Sequence, residues 1–184
     1  MPALEVSIIK SILNKDNTSY PVFIETGTAT GDTTFAMVDL FKVIHTIEIS
    51  EYSYNNTKSK YNGEKINFYL GDSSNILGNI LPNINDNIIF FLDGHYSAGG
   101  TGFGKKHVPL YEELELINRL HKHKSIIIID DYRLFNTLDG GVCDWTYINK
   151  ENVLSIVKDR ITNVYHLPSA LHPEDRLIIE LKNI

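Results

Sequence analysis

The chain has 184 residues, of which 42% are hydrophobic and 22% charged, with a formal net charge of -6 and a sequence pI of about 5.6. This is enough chain for one domain with a real core, and it excludes disorder and two domains of ordinary size. The acidic balance argues against a nucleic-acid binder that works by neutralising phosphate, and the single cysteine, Cys143, excludes an intramolecular disulfide framework and fits a reducing, cytoplasmic setting.

No apolar run approaches the ~20 residues of a membrane span. Residues 1–13 lack the basic-then-apolar order of a signal peptide. Residues 4–13 carry apolar side chains at helical spacing and are expected to form an amphipathic helix. Val22, Phe23 and Ile24 read as a buried strand running into a glycine loop, followed by a helix over 32–41 with Asp32 and Thr33 as capping candidates. A strand over 43–49, a polar helix over 52–61 and a strand over 66–70 come next. A short helix over 73–81 leads to the continuous apolar strand 88–92. Beyond a glycine-rich loop at 97–104 lie a helix over 110–121, a strand over 126–129, a helix over 149–158 and two strands, 162–166 and 177–181.

The alternation of β-branched strands with helices predicts an α/β domain, a mostly parallel sheet with helices on both faces. The last two strands are separated by too few residues for a parallel crossover, so the final pair is expected to be antiparallel.

Ligands of open α/β sheets bind beyond the carboxyl ends of the strands. Here each candidate parallel strand ends in or beside acid: Glu25, Glu48, Asp72, Asp93 and the Asp130-Asp131 pair. Clustered carboxylates repel unless something cationic or hydrogen-bonding sits among them. The loop after the first strand carries Gly27 and Gly31, which permit close approach of backbone to ligand. It is neither the dinucleotide fingerprint nor a phosphate loop. Glu48, ending the second strand, can accept both hydroxyls of a ribose. Together these point to a nucleoside-type ligand.

The pattern Glu25-x-Gly27-x-x-x-Gly31-x-Thr33, then Glu48, Gly71-Asp72 and Asp93, resembles the class I S-adenosylmethionine-dependent methyltransferases. The run from Phe91 through Asp93-Gly94-His95-Tyr96 to Ser97, with Gly99-Gly100-Thr101 behind it and Ile129-Asp130-Asp131-Tyr132-Arg133 later, narrows the resemblance. It is similar to the small metal-dependent O-methyltransferases of the macrocin sugar type and, more distantly, the catechol type. Ala29 stands where that family often has another glycine.

The resemblance implies a single Rossmann-like domain over 1–184, with a seven-stranded sheet and a reversed last strand. It implies that Glu25, Gly27, Gly31 and Thr33 line the methionine and ribose portion of S-adenosylmethionine. Glu48 would take the ribose hydroxyls, and Asp72 and Ser73 would lie beside the adenine. In the metal-dependent members, acids matching Asp93, Asp130 and Asp131 hold a divalent cation, and hard oxygen ligands suit Mg²⁺. The mechanism expected from this set has the metal lower the pKa of a substrate hydroxyl, with Asp93 in the site and His95 as proton acceptor. His107 is the alternative base.

The remaining features read as structural. His121 and His123, flanked by lysines, are expected to be solvated, and Cys143 to be packed. Trp145, Tyr96, Tyr111, Tyr132 and Tyr147 are candidates to wall a sugar site. The expected substrate is a small molecule or glycan precursor, with neither nucleic acid nor membrane as partner. Alternatives are a phenolic or catechol acceptor, and a protein that binds S-adenosylmethionine without turnover. With the domain consumed by the cofactor sheet, acceptor specificity falls to loops 97–104 and 133–145, or to a second subunit in a homo-oligomer.

Overall fold

A computed structural model describes residues 3–15, 17–98, 101–139 and 142–184. The paired glycines Gly99 and Gly100 lie outside the described residues. The first strand, β1 (Val22–Thr26), is buried at all five positions, and so are β4 (Ile88–Leu92) and β5 (Ser125–Ile129). Full burial is what continuous apolar runs predict for central parallel strands. With β2 (Val43–Glu48), β3 (Ile66–Leu70), β8 (Ile161–Leu167) and β9 (Arg176–Leu181) they form a seven-stranded sheet in the order β3-β2-β1-β4-β5-β9-β8. β9 is antiparallel to both of its neighbours, as the short final connection predicts. β1 pairs with both β2 and β4, so the strand order reverses there, and the loops after β1 and β4 open a crevice.

Period-2 alternation sends side chains to two cores. Val22, Ile24, Phe90, Ile127 and Ile179 face α4 (Ser73–Ile80), α5 (Leu110–Leu120) and α6 (Lys150–Val157). Phe23, Ile44, Phe91, Ile128 and Ile178 face α1 (Val6–Leu13) and the Met37–Phe41 region beyond α2 (Asp32–Ala36). The polar helix α3 (Glu51–Lys58) buries only Thr57.

Three local expectations are corrected. α2 is capped by Gly31, in the left-handed region at φ 85°, rather than by Asp32 or Thr33; the Thr33 hydroxyl instead accepts from the Leu4 N–H at 3.0 Å. The stretch 133–145 contains a two-stranded ribbon, β6 (Leu138–Asp139) with β7 (Cys143–Asp144), where a loop was expected. His121 is fully buried rather than solvated. It follows α5 in extended conformation, its ring meets Phe90 edge-on at 5.9 Å, and neither ring nitrogen has a hydrogen-bond partner. Arg160 secures the turn by donating to the carbonyls of His121, His123 and Lys182. Cys143 is buried, as expected.

Burial, reinforced by the charges of Arg160 and His123, lowers the His121 pKa to about 4. The unfolded chain takes up a proton near the ordinary value of ~6.5, while the folded chain refuses it down to about 4. The stability tied to neutral His121 is therefore complete above the unfolded value and is lost as pH falls from there toward about 4. Urea titrations across that window should show this loss in the wild type and a flatter profile in His121→Leu.

Candidate functional site

The crevice is built by four strand ends. The Gly27 N–H donates to the Ile47 carbonyl at 2.9 Å, bending the chain out of β1 at φ 87°. A Cβ at Gly27 would stand 2.2 Å from the Asp93 carbonyl oxygen, so the β1 and β4 loops touch backbone to backbone there. Ala29 also lies at positive φ, 46°, which explains why glycine suits that position. The Ala29 N–H donates to Glu48 Oε2 and the Ser50 N–H to Glu48 Oε1, each at 2.8 Å. These bonds hold the Glu48 carboxylate at the end of β2, and each oxygen keeps a lone pair for a ligand hydroxyl.

Glu25 is turned toward α2, where Thr34 and Thr46 hydroxyls donate to its Oε2. Burial pushes its pKa up to about 8 against those two hydroxyls, and the charges of Asp93 and Glu48 add to the rise. Glu25 and Thr33 reach the ligand side through a groove shared with Gly27, Ala29 and Asp93. At the end of β3, Asp72 Oδ1 caps α4 by accepting from the Ser74 N–H at 2.9 Å. Ser73 is buried beside it. A cleft collects Gly27, Glu48, Asp72, Ser73, Asp93 and His95 on one lining. Gly102 and Gly104 close over it: a Cβ at Gly104 would meet Asp72 Oδ2 at 2.8 Å, and one at Gly102 would meet Ile49 Cγ2 at 2.3 Å.

The acids after β4 and β5 divide into two environments. His95 Nδ1 lies 3.4 Å from Asp93 Oδ1, and Nε2 lies 3.1 Å from Asp131 Oδ2. Burial lowers the His95 pKa, but the adjoining Asp93 carboxylate and the charges of Asp131 and Asp130 overcome it, so the net shift is upward. Burial likewise raises Asp93, with His95 opposing. Asp130 points elsewhere. Its Oδ1 accepts from Arg176 Nε at 3.2 Å, and Arg176 is itself fully buried and donates to Glu5, Ala3 and Pro168. Arg133 bridges Asp131 to Asp175. Two of the four arginines thus supply cations among the strand-end acids. Asp131 sits at φ 57°, a left-handed conformation that costs a non-glycine residue energy and is common at functional sites.

The acids of the metal set expected from the sequence, Asp93 with Asp130 and Asp131, do not all share one grouping. Among the described residues two groupings could hold an ion: Asp93 with His95 and Asp131, and Asp130 with Asp131 and Asp175, although Asp130 also pairs with Arg176, and Asp131 and Asp175 with Arg133. Asp93 Oδ1 and Asp131 Oδ2 are buried and lack a good hydrogen bond, which fits them for a hard cation. His107 Nδ1 accepts from the Asp144 N–H at 3.1 Å and so anchors the ribbon. Among the candidate aromatics, Tyr96 lines the cleft and Trp145 packs edge-on against His95 at 4.9 Å. Tyr111 and Tyr147 tie the loop before α5 to the segment before α6, and Tyr132 packs on His166. The sequence reading missed Glu113, Arg133 and Arg176. Glu113 sits one turn into α5, where an acid ordinarily reads as a solvated helix residue, yet it is buried under Gly94. Burial raises its pKa to about 7 against the Ser73 and Thr26 hydroxyls.

No protein-family model matches the sequence, and no curated protein matches it. Solved structures do share the fold. One is an S-adenosylmethionine-dependent methyltransferase from Clostridium acetobutylicum ATCC 824, at TM-score 0.60 and 14% identity over 96% of this chain and 89% of that one. Another is an rRNA methylase from Streptococcus thermophilus, at TM-score 0.56 and 18% identity over 100% of this chain and 99% of that one. A third is the magnesium protoporphyrin IX methyltransferase from Synechocystis PCC 6803 with bound SAH, at TM-score 0.58 and 14% identity over 96% and 80%. The fold is thus the Rossmann-like methyltransferase fold. The last two are named for different acceptors, so the fold leaves the acceptor open.

Two outcomes are expected from this geometry. Gly27→Ala should lower the urea midpoint, because the new methyl group meets the backbone of Asp93, which cannot swing aside. Arg176→Met should destabilise the chain by about 3–5 kcal/mol, since it strands a buried Asp130. Adding Asp130→Leu should recover most of that loss in urea titrations.

Proposed function

We propose that this chain is an S-adenosylmethionine-dependent O-methyltransferase that moves a methyl group to a hydroxyl of a sugar or glycan precursor, assisted by Mg²⁺ or another divalent cation. The observation that carries the reading is His95, set between Asp93 and Asp131 on the lining of the cleft that also presents Glu48 and Asp72. When bound, S-adenosylmethionine supplies an electrophilic sulfonium methyl, and a divalent cation supplies charge that makes an alkoxide accessible near neutral pH.

The chain's own residues do the rest. Glu48, fixed by two backbone amides, accepts the ribose hydroxyls, while Asp72 and Ser73 lie at the adenine end. Gly27 and Gly31 let the β1 loop pass close to the methionine portion, with Glu25 and Thr33 behind it. Asp93 and Asp131 would hold the cation through carboxylate oxygens that face His95. His95 accepts the proton of the acceptor hydroxyl, and the two flanking carboxylates stabilise the imidazolium that results. Holding acceptor and donor in line supplies much of the acceleration.

Calorimetry with S-adenosylhomocysteine, with and without Mg²⁺, together with a methyl-transfer screen over nucleotide-sugar acceptors, tests this reading. Binding of the nucleoside and transfer that stops with chelator are expected; full transfer in chelator would remove the metal. His95→Gln should bind S-adenosylhomocysteine normally and lose about 10²–10⁴-fold in kcat. Loss of Mg²⁺ binding in that variant would make His95 a ligand rather than the proton acceptor.

A further inference from the structure

The cleft that presents Glu48 and Asp72 is largely filled by the chain itself. Its free space is about 50 Å³, against the ~300–1,000 Å³ of pockets that enclose a drug-sized ligand. A nucleoside with a methionine arm cannot enter so small a space. The filling is the stretch 101–105, which runs past Ile49, Ser50 and Asp72. A Cβ added at Gly102 would stand 2.3 Å from Ile49 Cγ2 and 2.9 Å from the Ser50 nitrogen, so the backbone there lies against the residues that follow β2. One added at Gly104 would stand 2.8 Å from Asp72 Oδ2, and the Lys105 N–H donates to that same oxygen at 3.5 Å. Asp72 Oδ1 already caps α4. The chain therefore engages both carboxylate oxygens of the residue expected beside the adenine.

We infer that residues 101–105 form a strap that occupies the adenine end of the cofactor cleft and must lift before S-adenosylmethionine enters. The strap is lightly held. Among the described residues, the Lys105 bond is the one hydrogen bond that joins 101–105 to a residue outside 96–107, and it is longer than an ordinary N–H···O bond of ~2.9 Å. The base of the strap is firm. The Tyr96 N–H donates to the His107 carbonyl at 2.8 Å, and Lys106 pairs with Glu112 of α5. Phe103 is the latch. Its ring is 58% exposed, yet it meets Tyr96 edge-on at 5.4 Å and His107 at 5.0 Å, which holds the flanking glycines down on the cleft. Segments with few buried contacts open without unfolding the core, so the sheet stays intact when the strap lifts. A ligand that binds only the lifted form has its affinity reduced by the fraction of chains in that form. Weakening the latch raises that fraction, and with it the affinity. The inference rests on the cofactor reading of the cleft.

The full chain and its Phe103→Ala variant are titrated with S-adenosylhomocysteine by calorimetry. Hydrogen exchange of the 101–105 amides is followed by mass spectrometry with and without that nucleoside, and circular dichroism checks that the variant folds. Phe103→Ala should bind about two- to tenfold more tightly than the wild type, the range set by one lost aromatic contact. Saturating nucleoside should speed exchange over 101–105 in the wild type, the reverse of the protection that a ligand gives to segments it covers. Unchanged or weaker binding by the folded variant overturns the inference, as does exchange over 101–105 that slows or stays constant on binding. In either case the cofactor reading stands, because the nucleoside has bound. Failure of both chains to bind overturns the cofactor reading and the strap with it.

Discussion

Charge compensation at the carboxyl edge of the sheet is the constraint on which the rest of the structure depends. The strand ends place Glu25, Glu48, Asp130 and Asp131 in buried positions and Asp93 in a half-buried one. Isolated buried carboxylates are too costly to persist, so each must be protonated, hydrogen-bonded or paired. The chain uses all three devices. Burial raises Glu25, which leans on threonine hydroxyls; Glu48 takes two amide hydrogens; Arg176, Arg133 and His95 answer the acids after β4 and β5. Arg176 reaches from the start of β9 to Asp130 and to the N-terminal Ala3 and Glu5, so compensation at the site also pins the first described residues to the last strand.

Topology delivers these groups to one place. The strand order turns back between β1 and β4, and the loops that leave those strands are in contact where Gly27 meets Asp93. Asp93, Gly94 and His95 form one wall of the cleft that results. The aromatic contacts of Trp145 with His95 and Phe135 carry the ribbon segment into the same wall.

Much of this was legible in the sequence because it is periodic or local. Continuous runs such as Ile88–Leu92 announced buried strands, the short link before β9 announced the reversal, and the acids at strand ends were ordered by the strands themselves. What was illegible depends on partners far apart in the chain. Nothing near Asp130 says that Arg176 pairs with its carboxylate, or that Asp131 stands in two separate groupings of acids. His121 sits between lysine-flanked polar neighbours, yet the turn secured by Arg160 drives it inward. Glu113 looks like a surface position because α5 begins with two other acidic candidates for solvent, and only the fold puts Gly94 above it.

The segment over the cleft sets its own limits on variation. Gly102 and Gly104 lie so close to Ile49, Ser50 and Asp72 that neither position has room for a methyl group. Phe103 between them is 58% exposed and packs edge-on against Tyr96 and His107. The loop therefore alternates two positions that geometry forbids from changing with one that it leaves open. A lineage or a laboratory library in search of altered selectivity would find its freedom at 103, and would find the flanking glycines closed to it.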